Sequence, residues 1–337
     1  MVDWQEIYAK RYSHHIENRG WEIVGTPIPF QKKVNMSLRS ATKEYELTID
    51  SHTLSITNPD KPLWPEAKVT KLDYLRYLLI VAAPLLRYSK DRLLTVIRYP
   101  HGIGDKHFYQ KNAPDYAPDW IQTHMWENVR YVLCNDRATL VWMANQAALE
   151  WHVSFHLAKD ETPTELVFDL DPSTDDFAVV IESALLLKQL LDELQLPSWV
   201  KTSGSSGLQI YVPIELRYTF EQTRQVGHFI ASYLVSKHPS LLTIERLVKN
   251  RGDKLYIDYL QHWRGKTLPA PYSTRAKEQA TVSTPLLWEE VPHCHPTDFT
   301  VSSVPKRLET FGDLFSSISA PTKRASLDAI LGFLQSQ

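Results

Sequence analysis

Two carboxylates lie two positions apart at the end of an apolar stretch, Glu165-Leu-Val-Phe-Asp-Leu-Asp-Pro. Strand-forming residues that stop at a proline predict a β-strand, and alternation along a strand puts Asp169 and Asp171 on one face. Because like charges this close repel each other, a divalent cation would stabilise the pair. The pattern therefore indicates a metal site, or alternatively a turn that Asp169 caps and in which Asp171 starts a loop.

A third carboxylate, Asp258, ends a second apolar strand, Lys254-Leu-Tyr-Ile-Asp. Three carboxylates at strand ends suit a pair of Mg²⁺ or Mn²⁺ ions about 3.5–4 Å apart, which activate a hydroxyl and stabilise the leaving oxygen in phosphoryl transfer. These hard cations prefer oxygen ligands, and the sequence offers no cluster of Cys or His as a competing site. From the residues alone, the hypothesis is a metal-dependent nucleotidyl or phosphoryl transferase.

The segment Thr202-Ser-Gly-Ser-Ser-Gly-Leu lies between two predicted strands. Glycines allow backbone N–H groups to turn toward an anion, and the serines add hydroxyl donors, so the loop could bind phosphates. The alternative is a flexible hairpin connection without a ligand. The loop alone does not decide between the two.

Residues 61–111 hold ten Lys or Arg against four Asp or Glu, with Trp64, Phe108 and Tyr109 among the charges. Phosphates bind Lys and Arg, and exposed bases stack on aromatic rings, so this mixture indicates a nucleic-acid surface. A solvated helix face beside core aromatics would explain the same composition. The net charge of −2 gives no such signal for the chain as a whole.

The bulk composition predicts a globular protein in a reducing, intracellular setting. Hydrophobic residues make up 43% and charged residues 23% of the 337 residues, as in ordinary soluble domains. Cys134 and Cys294 are far apart, which favours neither a disulfide framework nor a zinc ribbon. The amino terminus lacks the pattern of a secretory signal, and the longest apolar run, 77–86, is too short to span a bilayer. We therefore expect a cytoplasmic protein with no membrane partner.

Strands and helices alternate irregularly, which favours a mixed α/β (α+β) fold over a regular parallel sheet. Period-two alternation predicts a hairpin over 45–57 and strands over 92–99, 199–202 and 208–214. Helical spacing of apolar residues predicts helices over 71–88, 136–150, 177–194 and 220–237, and a last helix near 326–334.

Eight segments, taken in order, carry a family resemblance. They are Asn58-Pro-Asp-Lys-Pro-Leu-Trp-Pro, Leu94-Thr-Val-Ile-Arg-Tyr-Pro, Phe108-Tyr-Gln-Lys-Asn-Ala-Pro, Glu150-Trp-His-Val, Leu166-Val-Phe-Asp-Leu-Asp-Pro, Thr202-Ser-Gly-Ser-Ser-Gly-Leu-Gln, Tyr256-Ile-Asp and Ala270-Pro-Tyr-Ser. Together they resemble the polymerase domain of bacterial DNA ligase D, a branch of the archaeo-eukaryotic primase superfamily that acts in non-homologous end joining. The resemblance implies a primase-polymerase catalytic core with an RRM-like sheet flanked by helices.

The resemblance also implies a division of the chain. Residues 1–46 would be an N-terminal extension of unknown role, and 47–337 a single catalytic domain. Within that domain we expect a part that binds DNA ends at 47–160, a metal and nucleotide part at 161–284, and a C-terminal tail and helix at 285–337.

Site residues follow from the positions that match the family. The resemblance implies that Asp169, Asp171 and Asp258 are the catalytic metal ligands for two Mg²⁺ or Mn²⁺ ions. The residues implied to bind the nucleoside triphosphate or to order the site around it are His152, Ser203, Ser205, Gln209, Arg251, Gln261 and Arg275. Those implied to bind DNA are Lys61 and Lys71 at a 5′-phosphate, Phe108 and Tyr109 at the template, and Arg98 and Lys111.

The implied function is a template-dependent nucleotidyltransferase that fills gaps at DNA double-strand breaks, often preferring ribonucleotides. Its implied partners are 5′-phosphorylated gapped DNA, nucleoside triphosphates, a Ku-like protein and a separate or fused ligase, at the nucleoid in the cytoplasm. The rival hypothesis from another class is a non-catalytic module that binds DNA ends. Among enzymes, a primase or a metal nuclease is the alternative.

Three positions depart from the family pattern. Ser206 replaces a lysine of the serine loop, Gln209 replaces a histidine, and Ile97 replaces a lysine that precedes the Arg98 position. Loss of one cation from a triphosphate site costs roughly 1–3 kcal/mol of charge-assisted hydrogen bonding. These departures are what make the non-catalytic hypothesis worth testing.

Overall fold

The computed structural model describes residues 35–39, 44–319 and 324–336, so most of the predicted extension 1–46 lies outside the described residues. The strands are β1 (Asn35–Arg39), β2 (Glu44–Ile49), β3 (His52–Ile56), β4 (Pro62–Trp64), β5 (Val69–Thr70), β6 (Arg92–Arg98), β7 (Phe108–Gln110), β8 (Thr123–Trp126), β9 (Val129–Val132), β10 (Ala148–Leu157), β11 (Asp160–Pro163), β12 (Glu165–Asp171), β13 (Trp199–Thr202), β14 (Leu208–Pro213), β15 (Leu242–Thr243), β16 (Leu255–Asp258), β17 (Thr267–Pro269) and β18 (Pro285–Leu286). The α-helices are α1 (Lys71–Ile80), α2 (Ala82–Ser89), α3 (Arg137–Asn145), α4 (Phe177–Glu193), α5 (Phe220–Lys237), α6 (Val304–Phe311) and α7 (Asp328–Gln335). Short 3-10 helices cover Val248–Asn250, Trp288–His293, Pro296–Asp298 and Ser316–Ser319.

A six-stranded sheet with the order β15-β16-β12-β14-β13-β18 contains the predicted carboxylates. Its pairs are antiparallel except for the parallel pair of β15 and β16. Helices α4 and α5 pack on β12, where Gly227 of α5 lies against Leu166. Because side chains alternate, the face with Leu166 carries the helices, and Asp169 and Asp171 point to the other face.

The other face of β12 meets a second sheet with the order β11-β10-β6-β7, in which β17 also pairs with β10. Val167 on β12 packs with Phe155 of β10 and Leu268 of β17 in one buried cluster. Strand β17 belongs to the predicted nucleotide part, 161–284, and β10 to the predicted DNA-end part, 47–160. The cleft between the two sheets therefore takes side chains from both parts of the chain.

The predicted mixed α/β fold is confirmed, and so is the hairpin over 45–57, which is β2 and β3 in antiparallel register. The helix predicted over 71–88 is divided at Val81 into α1 and α2. The ring of Pro84 would collide with the carbonyl of Ile80 in one continuous helix, which explains the break.

The helix predicted over 136–150 is wrong in its last part. Asp136 accepts a hydrogen bond from the Thr139 N–H and starts α3, but α3 ends at Asn145. Ala147 has a φ of 59°, and Glu150 pairs with Ile97 across β10 and β6. Strand pairing outweighs the helical preference of the alanines here, since the ladder buries the segment. As a result Glu150 and His152 lie on a sheet strand that faces the cleft.

Candidate active site

The predicted carboxylates meet at one end of the six-stranded sheet. Asp169 of β12 is the register partner of Asp258 of β16, which implies a Cα separation of about 4.5–5.5 Å, and Asp171 follows on the same face. Burial, and after it the charge of Asp171, raises the pKa of Asp169 to about 8. Burial and then the charge of Asp258 likewise raise the pKa of Asp171. The protein alone therefore leaves negative charge here undercompensated, which is the electrostatic setting of a divalent cation site.

The donor set suits Mg²⁺ or Mn²⁺ because it consists of carboxylate oxygens. Asp258 Oδ1 accepts hydrogen bonds from the Tyr256 hydroxyl and the Gln261 N–H, both at 2.9 Å. Asp169 Oδ1 accepts one from Gln209 Nε2 at 3.0 Å. Within 44–319 and the other described residues, no three His, Cys, Asp or Glu side chains already converge as metal ligands. The strand register nevertheless brings the backbones of Asp169 and Asp258 side by side.

An open cavity of about 520 Å³ adjoins Asp169 and Asp171, a volume typical of small-molecule sites. It lies between the two sheets, with Thr95 of β6 and His152 of β10 on the opposite wall. The sequence-predicted residues that line it are Tyr109, Lys111, His152, Asp169, Asp171, Ser203, Ser205, Gln209, Gln261 and Arg275. The predicted residues outside this lining are Lys61, Lys71, Arg98, Phe108, Arg251 and Asp258.

Glu150 orients two of the cavity residues, and the sequence did not single it out. Its Oε2 accepts hydrogen bonds from His152 Nε2 at 3.0 Å and from Arg275 Nε at 2.9 Å, and its Oε1 accepts one from the Ala276 N–H at 3.0 Å. Burial lowers the pKa of His152, which favours the neutral imidazole, and the acceptor Glu150 places a proton on Nε2. The only sequence pattern that could have indicated this role is a glutamate two positions before a histidine on a strand, because such residues point to the same face.

The serine loop is ordered by its own first serine. Ser203 Oγ accepts hydrogen bonds from the N–H groups of Ser205 and Gly207, both at 3.1 Å. A Cβ on Gly207 would lie 2.2 Å from the Leu170 carbonyl oxygen, so the close approach of the loop to β12 requires glycine. Two N–H groups expected to face a phosphate are thus used inside the loop. The side chains of Ser205 and Ser206 line the cavity instead.

Residues 70–315 match the family described as LigD, primase-polymerase domain. The chain belongs to this family. It is 44% identical over 281 residues to the bifunctional non-homologous end joining protein LigD of Bacillus subtilis, covering 82% of this chain and 46% of that protein. It is 32% identical over 273 residues to the multifunctional non-homologous end joining protein LigD of Mycolicibacterium smegmatis, covering 79% and 36%.

A solved structure, the polymerase domain from Mycobacterium tuberculosis ligase D in complex with DNA, is similar to this chain with a TM-score of 0.75. The identity is 30%, and the match covers 80% of this chain and 99% of that one. The predicted family and its primase-polymerase fold are therefore confirmed. This LigD-family chain spans less than half the length of the two curated relatives.

Arg251 of this primase-polymerase domain lies behind Tyr256 rather than in the cavity lining. Its guanidinium donates to the carbonyls of Glu245 at 2.9 Å and Arg246 at 2.8 Å, and its Cζ is 3.9 Å from the centre of the Tyr256 ring. The charge of Arg251 still acts on Asp171, whose raised pKa it partly offsets.

Lys266 is a cavity residue that sequence reasoning missed. It lines the cavity, and its Nζ donates to the Leu260 carbonyl at 2.9 Å. Burial lowers the pKa of Lys266, while the charge of Asp258 acts in the opposite direction. A single lysine in a short connection before β17 gave no pattern from which a role could be read.

The predicted aromatic pair of the LigD-family domain is exposed on β7. Phe108 is 44% and Tyr109 is 67% exposed, and Arg98 Cζ lies 5.1 Å from the centre of the Phe108 ring. Tyr109 and Lys111 also line the cavity. The aromatic surface and the carboxylate site are therefore continuous.

The two predicted phosphate lysines are close together but differ in exposure. Lys61 Nζ donates to the Pro100 carbonyl at 2.8 Å. Lys71 is only 3% exposed, and its Nζ donates to the carbonyls of Thr57 and Asn145, both at 2.7 Å. Burial, followed by the charge of Lys61, lowers the pKa of Lys71 to about 8. Lys71 thus links three segments of the fold, whatever else it binds.

Among the described residues, no helix has the length and apolar character needed to cross a membrane.

Proposed function

We propose that this chain is a template-dependent nucleotidyltransferase that fills gaps at DNA double-strand breaks, with nucleoside triphosphates as substrates and two Mg²⁺ or Mn²⁺ ions as cofactors. The observation that carries the proposal is the register pairing of Asp169 with Asp258, together with a cavity of about 520 Å³ that Asp169 and Asp171 line. Family membership and the names of the LigD relatives, which refer to non-homologous end joining, support it.

The protein's own groups would bind and orient the two reacting partners. When bound, the metal ions activate the primer 3′-hydroxyl and stabilise the charge that develops on the phosphates. Arg275, Lys266 and Lys111 put cations around the cavity, where they would attract a triphosphate. The side chains of Ser205 and Ser206 would add hydrogen-bond donors beside it.

DNA would lie along the surface that leads to this cavity. Phe108 and Tyr109 are exposed enough for unpaired template bases to stack on them. Lys61 would contact a 5′-phosphate directly, and Lys71, whose ammonium already donates to two carbonyls, would contribute mainly by its positive charge. A Ku-like protein and a ligase, separate or fused, would be partners in end joining at the nucleoid.

A primer-extension assay on gapped DNA with Mn²⁺ or Mg²⁺ tests the proposal. Asp171→Asn keeps the shape of the side chain but removes its charge, so we expect incorporation to fall by at least about 100-fold. Asp175→Asn, an exposed acid after the same strand, is the matched control and should keep wild-type activity. Binding of 5′-phosphorylated gapped DNA should be preserved in both variants.

Three results would separate this function from its rivals. No incorporation by the wild type, together with tight binding of the phosphorylated gap, would support a non-catalytic DNA-end module. Dinucleotide synthesis without a primer would indicate a primase, and strand cleavage would indicate a nuclease. Full activity of Asp171→Asn would refute the proposed site.

A further inference from the structure

Lys201 is a lysine with no exposed surface, in the interior of the carboxylate-bearing sheet. It lies on β13, opposite Gln209 of β14, and Gln209 in turn lies opposite Asp169 of β12. Register partners in antiparallel strands project to the same face. Together with Asp258 on β16, these four side chains form one row across the sheet, which we call the polar row.

The hydrogen bonds of the polar row have a direction. Lys201 Nζ donates to Gln209 Oε1 and to Ser283 Oγ, and lies 3.4 Å from the Thr202 carbonyl oxygen. Gln209 Nε2 then donates to Asp169 Oδ1 at 3.0 Å. With Asp169 ionised, as metal binding requires, an amide turned the other way would put its oxygen against the carboxylate and would deprive Lys201 of its acceptor on Gln209. Lys201 therefore selects the orientation in which Gln209 donates to Asp169.

Gln209 occupies the position where the family pattern has a histidine. A glutamine side chain has a donor and an acceptor at the same end, so its orientation is set by what its oxygen faces. Ser283, the other acceptor of Lys201, also donates from its hydroxyl to the Thr202 carbonyl at 2.9 Å. The Lys201 head group is thereby fixed from two sides, and it can hold the amide rigidly.

Given the proposed metal-dependent nucleotidyl transfer, on which this inference rests, we propose that Lys201 is a positioning residue that acts through Gln209 to hold the Asp169 carboxylate in place for a divalent cation. Burying an amine costs free energy that an apolar side chain at this site would avoid. Groups that hydrogen-bond to metal ligands without touching the metal typically change metal affinity by about 10- to 100-fold when they are removed.

The test measures binding of Mn²⁺ alone, by electron paramagnetic resonance titration of the full chain without nucleotide or DNA. Lys201→Met keeps the length of the side chain and removes its donors, and we expect about tenfold weaker Mn²⁺ binding. Lys159→Met, at an exposed lysine, is the control and should match the wild type. Asp171→Asn is the reference for loss of a direct ligand.

A double-mutant cycle with Gln209→Leu tests whether Lys201 acts through the amide. If it does, Gln209→Leu and the double variant Lys201→Met/Gln209→Leu bind Mn²⁺ equally weakly, because the second change removes nothing further. Fully additive losses would overturn the proposal, since Lys201 would then act independently of Gln209. Thermal unfolding of each variant verifies that it is folded.

Ser283→Ala supplies the test if Lys201→Met does not fold, because it removes one acceptor of Lys201 and leaves Gln209 in place. We then expect a two- to threefold loss of Mn²⁺ affinity, and unchanged affinity would overturn the proposal. If Asp171→Asn weakens Mn²⁺ binding and Lys201→Met does not, only the role of Lys201 fails. If the wild type binds no Mn²⁺, the proposed metal site fails, and the role of Lys201 fails with it.

Discussion

Replacing Glu150 with glutamine tests how the proposed nucleotide side of the cavity is organised. The substitution keeps the size of a side chain that is 5% exposed but removes the charge shared by His152 and Arg275. Glutamine cannot accept hydrogen bonds from His152, Arg275 and the Ala276 N–H at once without turning its own NH₂ group toward one of these donors. We therefore expect both a loss of stability and a displaced Arg275.

The size of the expected loss of folding stability follows from the pKa of Glu150. Burial alone would raise this pKa, but the hydrogen bond from His152 and the charge of Arg275 outweigh burial and lower it from 4.5 to about 2. At 1.36 kcal/mol per pKa unit, the difference corresponds to about 3 kcal/mol of folding stability. Because the lowered pKa of His152 favours its neutral form, Arg275 supplies most of the positive charge, and 3 kcal/mol is an upper value.

The sign of the pH dependence is fixed by the depressed pKa in the folded state. The stabilisation is fully present above pH 4.5 and is lost as the pH falls from 4.5 toward 2. Urea unfolding of the wild type and of Glu150→Gln between pH 7 and pH 3 measures it. We expect the variant to be about 2–3 kcal/mol less stable at pH 7, with the difference shrinking below pH 4.5. Its KM for the nucleoside triphosphate should rise roughly tenfold because Arg275 is no longer aligned.

Glu161→Gln is the control, since Glu161 forms an ion pair with Arg264 in which both side chains are at least half exposed. Such pairs contribute about 0–1 kcal/mol, so this variant should remain close to the wild type. A difference for Glu150→Gln that stays constant down to pH 3 would refute the reasoning, because it would show a loss of packing rather than of charge.

Two further predictions concern the departures and the DNA surface. Ser206→Lys restores the cation of the family pattern at an exposed position that lines the cavity. In steady-state kinetics, the KM for nucleoside triphosphates should fall roughly tenfold. An unchanged KM would mean that other cations already saturate the site. Replacing Phe108 and Tyr109 with alanine should weaken binding of single-stranded template tenfold or more. Fluorescence anisotropy at several salt concentrations should show an unchanged salt slope, because no phosphate contact is lost; unchanged affinity would contradict the stacking role.

The sequence was sufficient for the parts of the site that depend on local pattern. Alternating residues and a terminal proline predict the strand that carries Asp169 and Asp171. Because side chains two positions apart in a strand point to the same face, the two carboxylates must share one face. That Asp258 lies beside Asp169 was a hypothesis from its place at the end of another apolar strand, which the family resemblance supported, because nothing local specifies which strands pair. The register of β12 with β16 bears it out.

Residues that act through others were harder to predict. Lys201 and Glu150 are charged residues at buried strand positions, and their meaning depends on partners 8 and 125 positions away in the chain. The helix predicted through Glu150 failed because pairing with β6 is a long-range interaction, whereas helical spacing is a local one. The roles predicted for the metal, nucleotide and DNA residues stay predictions.

Strand β17 has a consequence for how this chain can be divided. It follows Asp258 in sequence, yet it pairs with β10, where Pro269 lies opposite His152, and Lys266 just before it lines the same cavity as His152. A fragment that stops after Asp258 would keep all three carboxylates but lose β17 and Lys266 from the cavity lining. Deletions would therefore disturb the carboxylates and the opposite wall of the cavity together, whereas point substitutions can test each of them separately.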